Sequence, residues 1–131
     1  MGVRTEAKDN KVVPLKPNVY TKVGSQYFEI DGINKGGHAK VYLNIVGKIK
    51  SHPVGSLRVK AVRRRNGDST SYQSYTVCRK PNGTFEHLIT LTWFGNVVAN
   101  EWYDYYVKIQ DYIVSANANV TGADHVTTMP N

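Results

Sequence analysis

The chain is expected to fold as an all-β protein, an antiparallel β-sandwich or closed barrel of about eight strands. Three observations predict this. Apolar and polar residues alternate strictly in the clearest stretch: Ala39, Val41, Leu43 and Ile45 fall on one side, and Lys40, Tyr42 and Asn44 on the other. Such a period of two places one side of a strand on a core and the other in water. Candidate strands also begin at intervals of roughly 8–15 residues with turn chemistry between them. Finally, no stretch has the pattern of a helix of ordinary length, although Trp102, Tyr105, Tyr106, Ile109, Ile113 and Ala116 roughly match a 3.6 period. The density of Tyr, Val and Ile over residues 101–118 favours strand there.

The elements follow in order. Residues 1–18 carry Arg4, Lys8, Lys11 and Lys16, with Pro14 and Pro17 and one apolar pair, Val12-Val13. They are expected as an extended basic arm, either frayed or ordered against a neighbouring subunit. Residues 19–23 and 26–31 are expected as two short strands split by Gly24-Ser25, and 32–37 as a polar turn. Residues 38–49 form a long strand that ends at Pro53 and Gly55. Residues 57–64 put Leu57, Val59 and Ala61 on one face and Arg58 and Lys60 on the other, and Asn66-Gly67 reverses the chain into residues 71–78. After a second reversal at Pro81-Asn82-Gly83, residues 84–94 are apolar on both faces and are expected to be central. Residues 101–109 alternate Tyr103, Tyr105, Val107 and Ile109 with Trp102, Asp104, Tyr106 and Lys108. Residues 112–121 close the body, and 122–131 are expected as a loose tail.

A length of 131 residues fits one domain, large enough to bury roughly two thirds of its unfolded surface without metal or disulfide. Cys78 is the single cysteine and is expected as a small buried hydrophobe. No apolar run approaches the ~20 residues of a membrane span, and the N-terminus lacks the apolar core of a signal peptide. Synthesis in a cytoplasm, solubility and no membrane partner are therefore expected. The net charge of +7 is uneven: residues 1–80 hold 16 Lys/Arg and 5 Asp/Glu, whereas 81–131 hold 1 and 5. That asymmetry either suits docking on an acidic surface or disappears when the halves interleave.

Catalytic equipment is not visible. The four histidines (His38, His52, His87, His125) are widely spaced and lack companion ligands. His87 is expected as a partly buried sheet residue. No phosphate loop, dinucleotide fingerprint or nucleophile elbow occurs. Asp104 and Asp111 could meet only through the fold. The expectation is a protein that is not an enzyme and has no cofactor. The sharpest charge cluster is Arg63-Arg64-Arg65 at a hairpin tip, able to grip protein carboxylates or phosphates, or simply to stay solvated. The Trp102/Tyr106 face and the Tyr103/Tyr105 face cannot both be core, so one is expected to be exposed, to meet another subunit or to lie under a loop, which makes it the best clue to an interface.

The runs Gly55-Ser56-Leu57-Arg58-Val59-Lys60-Ala61-Val62-Arg63-Arg64-Arg65-Asn66-Gly67-Asp68-Ser69-Thr70 and Asn100-Glu101-Trp102-Tyr103-Asp104-Tyr105-Tyr106-Val107-Lys108-Ile109 resemble small jelly-roll modules in virion proteins of tailed bacteriophages. Those modules share the layout of tumour-necrosis-factor and complement-C1q jelly rolls. The similarity spans roughly residues 20–115 and rests on pattern. It implies a jelly-roll sandwich, a non-enzymatic virion protein of the decoration (cement) or head-fibre type, and a trimer. Its partner would be the major capsid protein or another virion protein, and its place the capsid surface. Partner contacts are then expected from Arg4, Lys8, Lys11, Lys16, Arg63, Arg64 and Arg65, and subunit contacts from Trp102 and Tyr106. The chain lacks the collagen-like or coiled-coil stalk of a long fibre. The rivals are a carbohydrate-binding module or tail-fibre receptor-binding domain, and, less expected, a single-stranded nucleic-acid-binding barrel.

Overall fold

Nine antiparallel strands build the molecule, seen in a computed structural model that describes residues 3–7, 11–30, 37–65, 67, 69–94 and 101–127. They are β1 (Val3–Ala7), β2 (Val13–Leu15), β3 (Thr21–Ile30), β4 (Gly37–Ile49), β5 (Val54–Arg63), β6 (Ser69–Cys78), β7 (Thr84–Phe94), β8 (Glu101–Gln110) and β9 (Ile113–Thr127). Two sheets result, one of five strands in the order β1-β3-β8-β5-β6 and one of four in the order β2-β9-β4-β7. Together they form a β-sandwich.

The winding is regular. β2 pairs with β9, β3 with β8, β4 with β7 and β5 with β6. From β2 to β9 the chain is thus one long hairpin whose closed end is the β5–β6 turn. The hairpin is rolled so that successive strands fall on alternate sheets, except β5 and β6, which share one. The β4–β9 and β5–β8 pairings then join the two arms of the roll within each sheet.

The alternating residues do what their pattern dictates. Val41, Leu43 and Ile45 from β4, Phe85, Ile89 and Leu91 from β7, and Val120 from β9 face Leu57, Val59, Tyr103, Tyr105, Val107 and Ile109 of the other sheet. All are at most 3% exposed. At ~25 cal/mol per Å² of apolar area removed from water, this layer dominates the stability. Burial pushes the Tyr105 hydroxyl pKa well above its ordinary value, so the ring stays neutral. The turns obey backbone sterics: Gly67 (φ 72°) and Gly83 (φ 89°) hold left-handed positions at the two hairpin reversals.

Several expectations need correction. The expected arm does not reach outward in its described part. β1 adds to β3, and β2 adds to β9, so residues 3–7 and 13–15 close the sandwich's own edges. The two short strands expected over 19–23 and 26–31 are not separate in the described residues, which run to residue 30. β3 is one strand with a bulge between Lys22 and Gly24, and a Cβ at Gly24 would meet Val120 Cγ2 at 2.7 Å. The strand β7 is an edge, not central, and Leu88 on its outer side is 74% exposed. Its two-sided apolarity came from a residue facing solvent. The last strand continues to Thr127, past the expected end at residue 121. Cys78 is exposed rather than buried, because Val77 takes the inward slot at the end of edge strand β6. His87 is partly buried as expected, its ring 5.5 Å from that of Tyr75.

Candidate functional site: a cationic and aromatic sheet face

Registry in the five-stranded sheet lines up its outward side chains in rows. Tyr27 lies opposite Trp102, and Arg64 extends the ladder there by donating its backbone N–H to the Trp102 carbonyl at 3.0 Å. The next row holds Ser25, Asp104 and Val62. Below it come Lys22, Tyr106, Lys60 and Tyr72, then Lys108, Arg58 and Ser74. Tyr20, just before β3, lies across the last two rows, with Lys60 Nζ 4.0 Å and Lys108 Nζ 5.1 Å from its ring centroid. Lys60 also sits 5.5 Å from the Tyr106 ring. Arg58 donates to the Tyr72 hydroxyl at 2.6 Å. Burial, together with the neighbouring Tyr72 hydroxyl, raises the Tyr20 pKa to about 12, so this ring also stays neutral among the cations.

Among the described side chains one carboxylate lies within these rows, and it is covered; Glu6 of β1 also stands opposite Tyr27 in the first row, its side chain outside the description. Asp104 is 6% exposed and accepts from Arg64 Nη2 at 2.7 Å, Arg64 Nε at 3.2 Å and Ser25 Oγ at 2.7 Å. Lys22 Nζ approaches to 3.4 Å. The forked guanidinium contact lays Arg64 flat against the sheet, 4.8 Å from the Trp102 ring centroid. Burial would raise the Asp104 pKa, but the hydrogen bonds from Arg64 and Ser25 and the charges of Lys22 and Arg64 prevail and hold it below the ordinary value.

A depressed folded pKa contributes stability above the unfolded value of about 3.9, and that contribution is lost as pH falls through the folded pKa. Asp104→Asn is therefore expected to cost about 2 kcal/mol at neutral pH, less than a fully buried pair because half-exposed Arg64 can re-solvate. The cost should shrink as pH falls below the ordinary carboxylate range and through the depressed Asp104 pKa. Urea melts of both proteins at pH 7 and at low pH check this.

The two outer faces differ in charge. Among the described side chains, the five-stranded sheet presents Lys22, Arg58, Lys60, Arg64 and Lys108 against Asp104, and the register adds Arg4, Glu6 and Glu29 to this side at its β1–β3 end. The four-stranded sheet presents Lys40 and Lys48 against Glu86 and Asp124, beside Tyr42, Asn44, Val46, Leu88 and Asn119. Residues 1–80 and 81–131 contribute strands to both sheets, so the two halves interleave, and the charge difference in three dimensions is one between faces.

Of the residues the sequence singled out, the structure brings three onto the cationic face: Arg64, Trp102 and Tyr106, the last two half-buried. The three tip arginines part company. Arg63 lies on β5 opposite inward-facing Tyr103, Arg64 folds back onto Asp104, and Arg65 is exposed in the turn. Lys11 and Lys16 are exposed beside β2, and Lys11 borders a small groove of about 230 Å³ with Lys22, Val13, Val23 and Gly24. Arg4 is on β1, with its side chain outside the description, and Lys8 lies outside the described residues. Asp104 and Asp111 are not brought together, since Asp111 sits in the β8–β9 turn and accepts from Ser56 Oγ at 2.6 Å. The sequence reasoning missed Tyr20, Lys22, Arg58, Lys60 and Lys108 as one group. The alternation in β5 and β8 marked three of them, Arg58, Lys60 and Lys108, as outward-facing or polar, but not as neighbours.

Among the described residues, no group of three or more His, Cys, Asp or Glu is placed to hold a metal ion. Comparison with protein-family models and with curated proteins finds no match to the chain.

Proposed function

We propose that the protein is a non-enzymatic structural module of a virus particle, a jelly roll that acts by docking through the outer face of its five-stranded sheet. The observation that carries this is the winding. Four nested antiparallel pairings, β2·β9, β3·β8, β4·β7 and β5·β6, rolled across two sheets, support a jelly roll with two Greek keys. That is the fold implied by the resemblance to tailed-phage virion modules. Decoration of the capsid exterior is the role this resemblance favours, with the major capsid protein as partner.

The cationic face fits an acidic surface better than a copy of itself. Stacking Lys22, Lys60 and Lys108 on their own counterparts sets like charges against each other, which is unfavourable. Trp102 and Tyr106 therefore serve subunit contacts only in a head-to-tail ring, where the face meets a different patch of the next copy. A trimer of that kind is compatible with the charge distribution. Carbohydrate stacking on Trp102 is less favoured, because Arg64, held by Asp104, already lies 4.8 Å from the centroid of its ring.

The test uses particles grown from the genome that encodes the chain. The protein is expected to co-purify with them in many copies and to rebind stripped particles saturably. A protein that stays monomeric at high concentration and never sediments with particles contradicts the proposal.

A further inference from the structure

The geometry points to single-stranded nucleic acid as a ligand of the cationic face, with phosphates held by Lys22, Lys60 and Lys108 and bases resting on Tyr106 and Tyr72. This inference goes beyond the virion reading and stands or falls apart from it.

Charge complementarity comes first. Among the described side chains, five cations meet one neutralised carboxylate on a single sheet face, the register placing Glu6 and Glu29 on that side only at its β1–β3 end; the surplus around Lys22, Lys60 and Lys108 calls for a polyanion, while the opposite face is balanced. The kind of cation left over comes second. Both guanidiniums of the rows are engaged within the face: Arg64 is forked onto Asp104 and Arg58 is bonded to Tyr72. Such forks grip carboxylate and phosphate alike, so with both occupied the face is left with ammonium groups, which bind phosphate as point charges. Lys60 and Lys108 rest against rings and retain N–H donors for a ligand.

Ring placement comes third. Across one row the face reads Lys22, Tyr106, Lys60, Tyr72, so cation and ring alternate over four neighbouring strands. Tyr72 is 49% exposed at the edge. Docking on an acidic protein needs the charges of this row but not its alternation. A single strand uses both, since its phosphates and unstacked bases alternate too. A duplex hides its bases and needs an element that enters a groove, which a broad sheet face does not supply.

The experiment measures binding of the full chain to a fluorescein-labelled 12-nucleotide oligo-dT by anisotropy, over about 50–200 mM salt. A duplex of equal length, heparin and poly-glutamate serve as competitors. The single strand is expected to bind most tightly, with affinity falling steeply as salt rises. Lys60→Gln with Lys108→Gln should weaken binding at least tenfold and flatten the logarithmic salt slope by about 0.7 per lysine. Tyr106→Ala should weaken it about tenfold with the slope unchanged, the signature of lost stacking rather than lost charge. Lys40→Gln with Lys48→Gln, on the opposite face, should change nothing. Thermal melts confirm that each variant is folded. The inference is overturned by equal or better competition from poly-glutamate, heparin or duplex, by indifference to Tyr106→Ala in a folded variant, or by no binding at the lowest salt. Particle binding that survives nuclease treatment, with no affinity for oligo-dT, removes this inference and leaves the virion reading standing.

Discussion

Phe85→Ala is expected to cost about 3–5 kcal/mol. Phe85 is 1% exposed and sits on β7, an edge strand held by β4 alone in its sheet. The benzyl group fills the row that also holds Gly47 and Ala116, two positions with little or no side chain to expand into the void. A cavity that cannot collapse costs more than the transfer energy of the missing atoms. Chemical denaturation should show a lower midpoint with an unchanged slope, meaning that stability fell while the surface exposed on unfolding did not. A loss under about 1 kcal/mol would mean that the ring is not packed as described.

Gly47→Ala is the second large effect, about 3 kcal/mol. A Cβ on Gly47 would meet the backbone carbonyl oxygen of Ser115, with Phe85 Cε2 at 2.6 Å and Ala116 Cβ at 2.7 Å. Both flanking strands, β7 and β9, press on this one position of β4. A side chain can turn away, but a carbonyl in a sheet ladder cannot. The double variant with Phe85→Leu separates the two obstacles. Most of the Gly47→Ala penalty should remain in that background, since the backbone contact is unrelieved. Full rescue would assign the strain to the ring instead.

Much of the fold was legible because period-two alternation is a local property. Residues 39–45, 57–61 and 103–109 declared their inward faces before any pairing was known, and each lies in the core. The same logic resolved the aromatic strand: Tyr103 and Tyr105 went inward, so Trp102 and Tyr106 had to face out. Pairing was not legible, because register depends on contacts far apart in sequence. That is why β7 was placed at the centre, and why the first residues were set apart from a sandwich that they in fact edge. Gly24 misled for a related reason. A glycine in a strand signals a break or a close approach, and only Val120, far along the chain, decides between them.

The candidate site shows the same limit more sharply. Arg58 and Lys60 were seen as outward-facing, and Trp102, Asp104, Tyr106 and Lys108 as one side of a strand. Their union into a single face needed the β5–β8 register, and Lys22 joined only through β3. The arginine run drew attention as a charge cluster, yet one of its members is occupied in masking Asp104. Sequence adjacency marked charge density, whereas the sheet decides which charges act together.

The central claim is that the outer face of the five-stranded sheet is the surface through which the protein engages its partner. Lysine acetylation read by mass spectrometry, with and without particle or oligonucleotide, tests it most directly. The account predicts strong protection of Lys22, Lys60 and Lys108 on binding, with Lys40 and Lys48 labelled as before. Protection of Lys40 and Lys48 with Lys22, Lys60 and Lys108 left reactive would place the working surface on the other sheet and contradict it.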